Sequence, residues 1–409
     1  MMLSNTSPKA VKFPKNSRHL IFILTILLGF LTAQGALPTD ADNAATFYFQ
    51  AFDELPDKTY EESQAWDSFM ADPSSVPDEV REYLERCQSC LELAKTAAGI
   101  QYCDWGRDSS QGVNVYLSSC QLTDIRKLVF VIYGEALKQG CDGNQQTALE
   151  YGLILQQLAE HTGTDSMIVQ LMYSAINNYA AKTIGIVLGY DPASDETLTG
   201  LQSQYVTRKN CIQAFFESFD AEYQLLLTTV QYDDILQQVR EDAAAGDYPG
   251  NMETMTDDEL LEHLSKPFLH FKNKMKQIIA LNMSVQQAIA EIELAAGINN
   301  QTYAEEYPSY MMYYFSAGPS LTRTYVLSVR GEAEFAVLQS AIELYDILAQ
   351  TGELPETLPD YFPKDPFTRL PFTYEITSEG FILSYVEQDS SDDVDGTPVE
   401  KEFKVPTAK

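Results

Sequence analysis

The chain has 409 residues, 45% of them apolar, and 59 acidic residues against 27 basic ones give a formal charge of −32. The length allows two or three domains with a real core, and the apolar share excludes a disordered acidic tail. The charge repels nucleic-acid phosphates and anionic lipid headgroups, which excludes nucleic acid and membrane surfaces as main partners.

Residues 1–19 hold Lys9, Lys12, Lys15 and Arg18 and no acid, and Leu20 to Ala33 is an uncharged apolar run. Ala33 and Gly35 then place small residues at −3 and −1 of a cut before Ala36. This is the pattern of a secretory signal peptide. An uncleaved N-terminal membrane anchor is the alternative, although a spanning helix usually needs about 20 apolar residues. Either outcome puts the bulk of the chain outside the cytoplasm, in the periplasm or cell envelope, because the positive charges precede the apolar run. Without residues 1–35 there are 23 basic residues against 59 acidic ones, a charge of −36.

All six cysteines lie beyond this segment: Cys87, Cys90, Cys103, Cys120, Cys141 and Cys211. An even number in an oxidising compartment reads as structural disulfides, with fifteen pairings open. Cys87-Gln88-Ser89-Cys90 is a CxxC inside a helix-like stretch, without a preceding strand and without a following His. Zinc on the spacing C-x2-C-x12-C-x16-C, or redox chemistry, are the alternatives.

Helical periodicity dominates the chain from residue 124 onward. Asp124 can cap a helix with Ile125, Leu128, Val129, Ile132 and Ala136 on one face, ending near Gly140. A second helix runs through Ala148, Leu155 and Leu158 to Gly163, and a third from Asp165 through Ile176 and Ile184 to Gly189. Tight turns between helices of this length make antiparallel hairpins, which resemble tetratricopeptide-type pairs without a clean repeat period. Residues 190–205 read as a polar linker. Another helix carries Phe215, Phe216 and Phe219, and residues 240–256 form an acidic loop. Thr256 and Glu259 form a capping box, Pro267 is expected to break or bend the helix they open, and a longer helix then carries Met275, Ile278, Ile289 and Ile292 on one face.

Residues 303–315 are dense in Tyr and Met, so Tyr303, Tyr310 and Tyr314 can line a binding groove, or belong to a helix buried at a junction. One more helix is predicted from Leu321 to Gln350. Pro355, Pro359, Pro363, Pro366 and Pro371 make an ordered connector, and short strands are predicted at Phe372–Ile376 and Phe381–Val386 around a turn at Ser378-Glu379-Gly380. The predicted fold class is mainly α, antiparallel helix hairpins with a small C-terminal α+β module. The predicted units are 1–35, a helical domain over 36–330 with a division near 190–205, and 331–409.

Motifs for dinucleotide, P-loop, zinc-protease and nucleophile-elbow chemistry are absent from the sequence. His263 and His270 share a helix face only if Pro267 does not interrupt it. No catalytic residues and no cofactor are predicted, with one exception. Ser391 to Glu402 has spacing that resembles a calcium-binding EF loop, so Asp389, Asp392, Asp393, Asp395 and Glu402 are candidate calcium ligands. A solvated acidic loop is the alternative; Ser at the first position, Pro398 and a preceding strand depart from the EF pattern.

Two stretches carry a family resemblance. The first is Cys103-Asp104-Trp105-Gly106 with upstream Leu91 and Ala94 and downstream Ile125, Arg126 and Leu128. The second is Leu344-Tyr345, Gly352, Pro355, Pro363-Lys364-Asp365-Pro366-Phe367, Pro371-Phe372, Tyr374 and Gly380-Phe381-Ile382-Leu383. Over roughly 85–190 and 330–396 the chain is similar to uncharacterised exported bacterial helical proteins with a CDWG motif and a C-terminal DPF module, which implies export and a helical body and no activity. The C-terminal part also resembles the globular end of major pseudopilins, whose acidic loop can hold calcium. A prepilin cut site is missing: Gly29-Phe30 ends the apolar run, and no Glu appears until Glu54. The sequence therefore reads as an exported helical binding or scaffold protein of the cell envelope with a protein partner, touching the membrane only through an uncleaved N-terminus. A pseudopilin-like assembly or secretion component and an enzyme with an unfamiliar site are the alternatives.

Overall fold

A computed structural model describes residues 41–110, 116, 119–190, 208–232, 235–246, 250–281, 283–303, 318–388 and 396–405. Short polar side chains start its first two helices. Asn43 Oδ1 accepts from Ala45 N at 3.1 Å and caps α1 (Ala44–Asp53). Thr59 and Glu62 satisfy each other's backbone N–H groups in a capping box that opens α2 (Tyr60–Ala71). The helix-like stretch around the CxxC is two helices, α3 (Asp78–Arg86) and α4 (Gln88–Ala98). They meet at Cys87, whose φ of −83° and ψ of −1° are still helical, so it ends one helix and begins the next.

Three long helices come next: α5 (Leu122–Cys141), α6 (Gln145–Thr162) and α7 (Met167–Tyr190). They are joined by turns short enough to force antiparallel neighbours. Close approach is built in by glycine. A Cβ on Gly152 of α6 would lie 2.6 Å from Ile184 Cγ1 of α7. The chain continues through α8 (Cys211–Tyr232), α9 (Ile235–Ala244), a 3-10 turn (Gly250–Thr254), α10 (Asp257–Ala280), α11 (Val285–Tyr303) and α12 (Gly318–Thr351).

Two expectations in this region are corrected. Pro267 does not break its helix: α10 runs from Asp257 to Ala280 with the proline inside. An internal proline costs about 3 kcal/mol. Leu260, Leu264, Phe268, Phe271, Met275 and Ile278 are all buried along the same helix, and each such burial is worth roughly 1.5–3 kcal/mol. The longer helix expected to carry Met275 through Ile292 is two helices, one ending at Ala280 and the next starting at Val285. Ser284 caps a new helix there, with Gln287 N donating to Ser284 Oγ at 3.3 Å and Ser284 N donating to Gln287 Oε1 at 3.1 Å. The capping box of Thr256 and Glu259 is present, with Thr256 N donating to Glu259 Oε2 at 2.9 Å.

After a connector, the sheet has the order β1 (Thr373–Ile376), β2 (Gly380–Glu387), β3 (Thr397–Lys404), all antiparallel. Phe381, Leu383 and Tyr385 alternate on one face of β2, and Phe381 lies opposite Phe403. The first two strands match the predicted hairpin; β3 was not foreseen. Its sequence TPVEKEFK is charged, and only Phe403 of it is buried.

Among the described residues the apolar core has two large bodies that share α7, beside a small third of Tyr116, Cys120, Val169 and Leu225. Tyr173, Ile176 and Ala180 join α1–α6 in one, while Ala181, Ile184, Val187 and Leu188 join α8–α12 and the sheet in the other. The fold is mainly α with a small C-terminal α+β module, as the periodicity predicts. Position 331, the predicted start of that module, lies within α12, and residues 191–207 fall outside the described residues. Among the described residues no helix is long and apolar enough to cross a membrane; residues 20–33 fall outside them.

Candidate functional site

The CDWG segment forms a knot between two helix ends. The last carbonyls of α6 have no intrahelical donor. Trp105 Nε1 donates to His161 O at 2.5 Å, and Arg107 Nη1 donates to Thr162 O at 2.7 Å. The Arg107 guanidinium also meets Asp165 Oδ1 at 2.9 Å, so a cation sits at the negative end of the helix. The other side of the segment holds the start of α1. Asn43 Nδ2 donates to Asp104 O and Asp104 N donates to Asn43 Oδ1, both at 2.9 Å. Asp104 Oδ1 accepts from Gly106 N at 2.9 Å, and Gly106 has a φ of +63°, which glycine adopts without steric cost.

His161 closes the knot. Its Nδ1 lies 3.0 Å from the Tyr48 hydroxyl and its Nε2 lies 2.9 Å from Gln157 Nε2. An amide nitrogen donates, so with this orientation of Gln157 the ring accepts at Nε2 and carries its proton on Nδ1. Burial lowers the His161 pKa to about 4, so the ring is neutral at pH 7. The Trp105 ring stacks on Tyr48 at 5.4 Å and on Phe52 at 6.2 Å.

A second polar cluster joins α7, α8 and α12. Arg208 Nη1 pairs with Glu332 Oε1 at 2.8 Å, and the two side chains are 4% and 10% exposed. Glu332 also takes the first N–H of α8, from Cys211 N at 2.6 Å, and Asn210 Nδ2 at 2.8 Å. It is therefore a capping carboxylate supplied by another helix. Burial works against the Arg208 charge, but Glu332 outweighs it and raises the pKa. Gln170 Nε2 donates to Cys211 O at 3.0 Å, and the Tyr173 hydroxyl lies 2.9 Å from Glu160 Oε1. Burial raises the Glu160 pKa. Sequence spacing gave no sign of this cluster, since Asn210 and Glu332 are 122 positions apart.

The Lys-Asp-Pro-Phe segment is a turn built on one buried carboxylate. Asp365, 2% exposed, accepts from Phe367 N at 2.9 Å and from the Thr368 hydroxyl at 2.7 Å. Near it the sheet is tied to α12: Tyr385 OH donates to Glu334 Oε1 at 3.0 Å and Lys401 pairs with Glu334 at 2.7 Å.

Most of the candidate calcium and groove residues lie outside the described residues. Glu402 lies within β3, exposed and opposite Ile382. Asp389, Asp392, Asp393 and Asp395 lie outside the described residues, as do Tyr310 and Tyr314; Tyr303 ends α11. Among the described residues no three His, Cys, Asp or Glu side chains are grouped to hold a metal. None of the six cysteines is joined to another in this structure. Cys103 sits in the knot, Cys120 donates to Tyr116 O at 3.2 Å and Cys141 to Pro73 O at 2.8 Å. Cys211 lies 3.5 Å from Arg208 Nη1. Compared with known proteins, the chain matches no family model, no curated protein and no solved structure.

Proposed function

We propose that the chain is an exported helical binding or scaffold protein of the cell envelope, with a protein partner. The observation that carries this reading is the order of residues 1–35: four basic residues, an apolar run and small residues before Ala36. The use of buried polar chemistry supports it. Trp105, Arg107, His161, Arg208 and Glu332 all bond helix ends or neighbouring helices and so act as tethers. A rigid helical frame of this kind presents surfaces to a partner.

Fractionation of expressing cells tests the reading. The full chain is expected in the periplasmic or envelope fraction, and a chain lacking residues 2–35 in the cytoplasm. Full-length protein retained in the cytoplasm would end the proposal. A pseudopilin-like assembly component is the second reading, favoured by the order helix, connector and small sheet over residues 318–404. In that reading the acidic residues 389–395 hold calcium, and added calcium raises the thermal midpoint.

A further inference from the structure

Cys87 and Cys90 occupy the N-cap and third position of α4. Residues three apart on a helix have Cα atoms about 5 Å apart, inside the roughly 4.4–6.8 Å that a disulfide spans. Both cysteines are fully buried, and the Cys90 thiol donates to Cys87 O at 3.0 Å, which turns its sulfur back toward Cys87. The other four thiols lie elsewhere, against Ala45 and Arg107, Tyr116, Pro73 and Arg208.

We propose that Cys87 and Cys90 are a redox pair that closes into a disulfide across the α3–α4 junction. The surroundings polarise the pair for it. The neighbouring Cys90, with Tyr83, Arg86 and Lys58, holds the Cys87 thiol below its usual pKa, and the nearness of Cys87 together with burial pushes Cys90 up. Cys87 is thus the attacking sulfur and Cys90 the resolving one. The oxidant is a disulfide, small-molecule or protein, and it reaches the buried Cys87 when the α3–α4 junction opens locally. The Cys87 thiolate forms a mixed disulfide with it and expels one thiol. Cys90 then loses its proton, displaces the second thiol and completes the ring. The pair gives up two protons and two electrons, and the oxidant's disulfide becomes two thiols. The closed ring fixes Cys87, the residue on which α3 and α4 pivot. The pair closes in this way whether or not the chain is exported.

The full chain equilibrated to constancy in glutathione buffers of graded ratio, acid-quenched, alkylated in denaturant and peptide-mapped tests it. The expected result is loss of alkylation at Cys87 and Cys90 together, in one peptide lighter by two hydrogens, while Cys103, Cys120, Cys141 and Cys211 stay alkylated. Cys90→Ser is expected to accumulate a glutathione adduct on Cys87. Full alkylation of both positions in oxidising buffer would overturn the proposal, as would either cysteine joined to any of the other four. A thermal midpoint that differs between oxidising and reducing buffer in the wild type should lose that difference in Cys87→Ser. A difference that persists in Cys87→Ser would also count against the pair.

Discussion

At the scale of single residues, the chemistry of this protein is turned inward. His161 is bonded at both ring nitrogens and neutral, because burial lowers its pKa from 6.5 to about 4. A base whose folded pKa lies below its unfolded value binds more protons when unfolded, so folding stability falls as the pH drops through that window. The shift corresponds to about 3 kcal/mol. Urea unfolding between pH 7 and pH 4 should show the wild type losing more stability than His161→Gln, by an amount of that order. Identical pH profiles would contradict the assignment. Trp105→Ala removes the stacking on Tyr48 and Phe52 and the bond to His161 O. The expected loss is about 3–5 kcal/mol in the same assay. Cys103-Asp104-Trp105-Gly106 was legible in sequence as a motif but not as a tether, because its partners, Asn43 and the end of α6, are fixed only by the fold.

At the scale of elements, the distance between helices is set by what glycine leaves empty. Two glycines on neighbouring helices should respond with opposite signs. A Cβ at Gly152 would press on Ile184 of α7, while at Gly185 nothing lies within 4 Å. Gly152→Ala is expected to destabilise by roughly 1–3 kcal/mol through overpacking. Gly185→Ala should stabilise by about 0.5–1 kcal/mol through helix propensity. Thermal or urea unfolding distinguishes them, and two shifts of the same sign would contradict the packing described. The α5, α6 and α7 helices were legible because their apolar stripes repeat at helical spacing over many residues. The start of a new helix at Val285 was not, because Ile278 and Ile289 keep one register and the Ser284 cap is a local hydrogen bond. Likewise β3 was hidden, since a charged edge strand with one buried side chain carries no apolar alternation.

At the scale of the whole molecule, α7 is common to both cores, and the joint with α8 and α12 rests on a buried ion pair. Removing one partner strands the other charge, so Glu332→Ala is expected to cost about 3–5 kcal/mol. Replacing both partners together, Arg208→Met with Glu332→Leu, should recover much of that loss in urea unfolding. A double variant no better than the single one would show that the pair does more than offset its own burial. These tethers hold the frame and do not say where it works. The proposed location rests on the order of residues 1–35. The most direct test is the N-terminal sequence of the mature protein recovered from the cell envelope. Export by signal cleavage predicts a chain beginning at Ala36. A chain beginning at a methylated Phe30 would contradict the scaffold reading and establish pilin-type processing in its place.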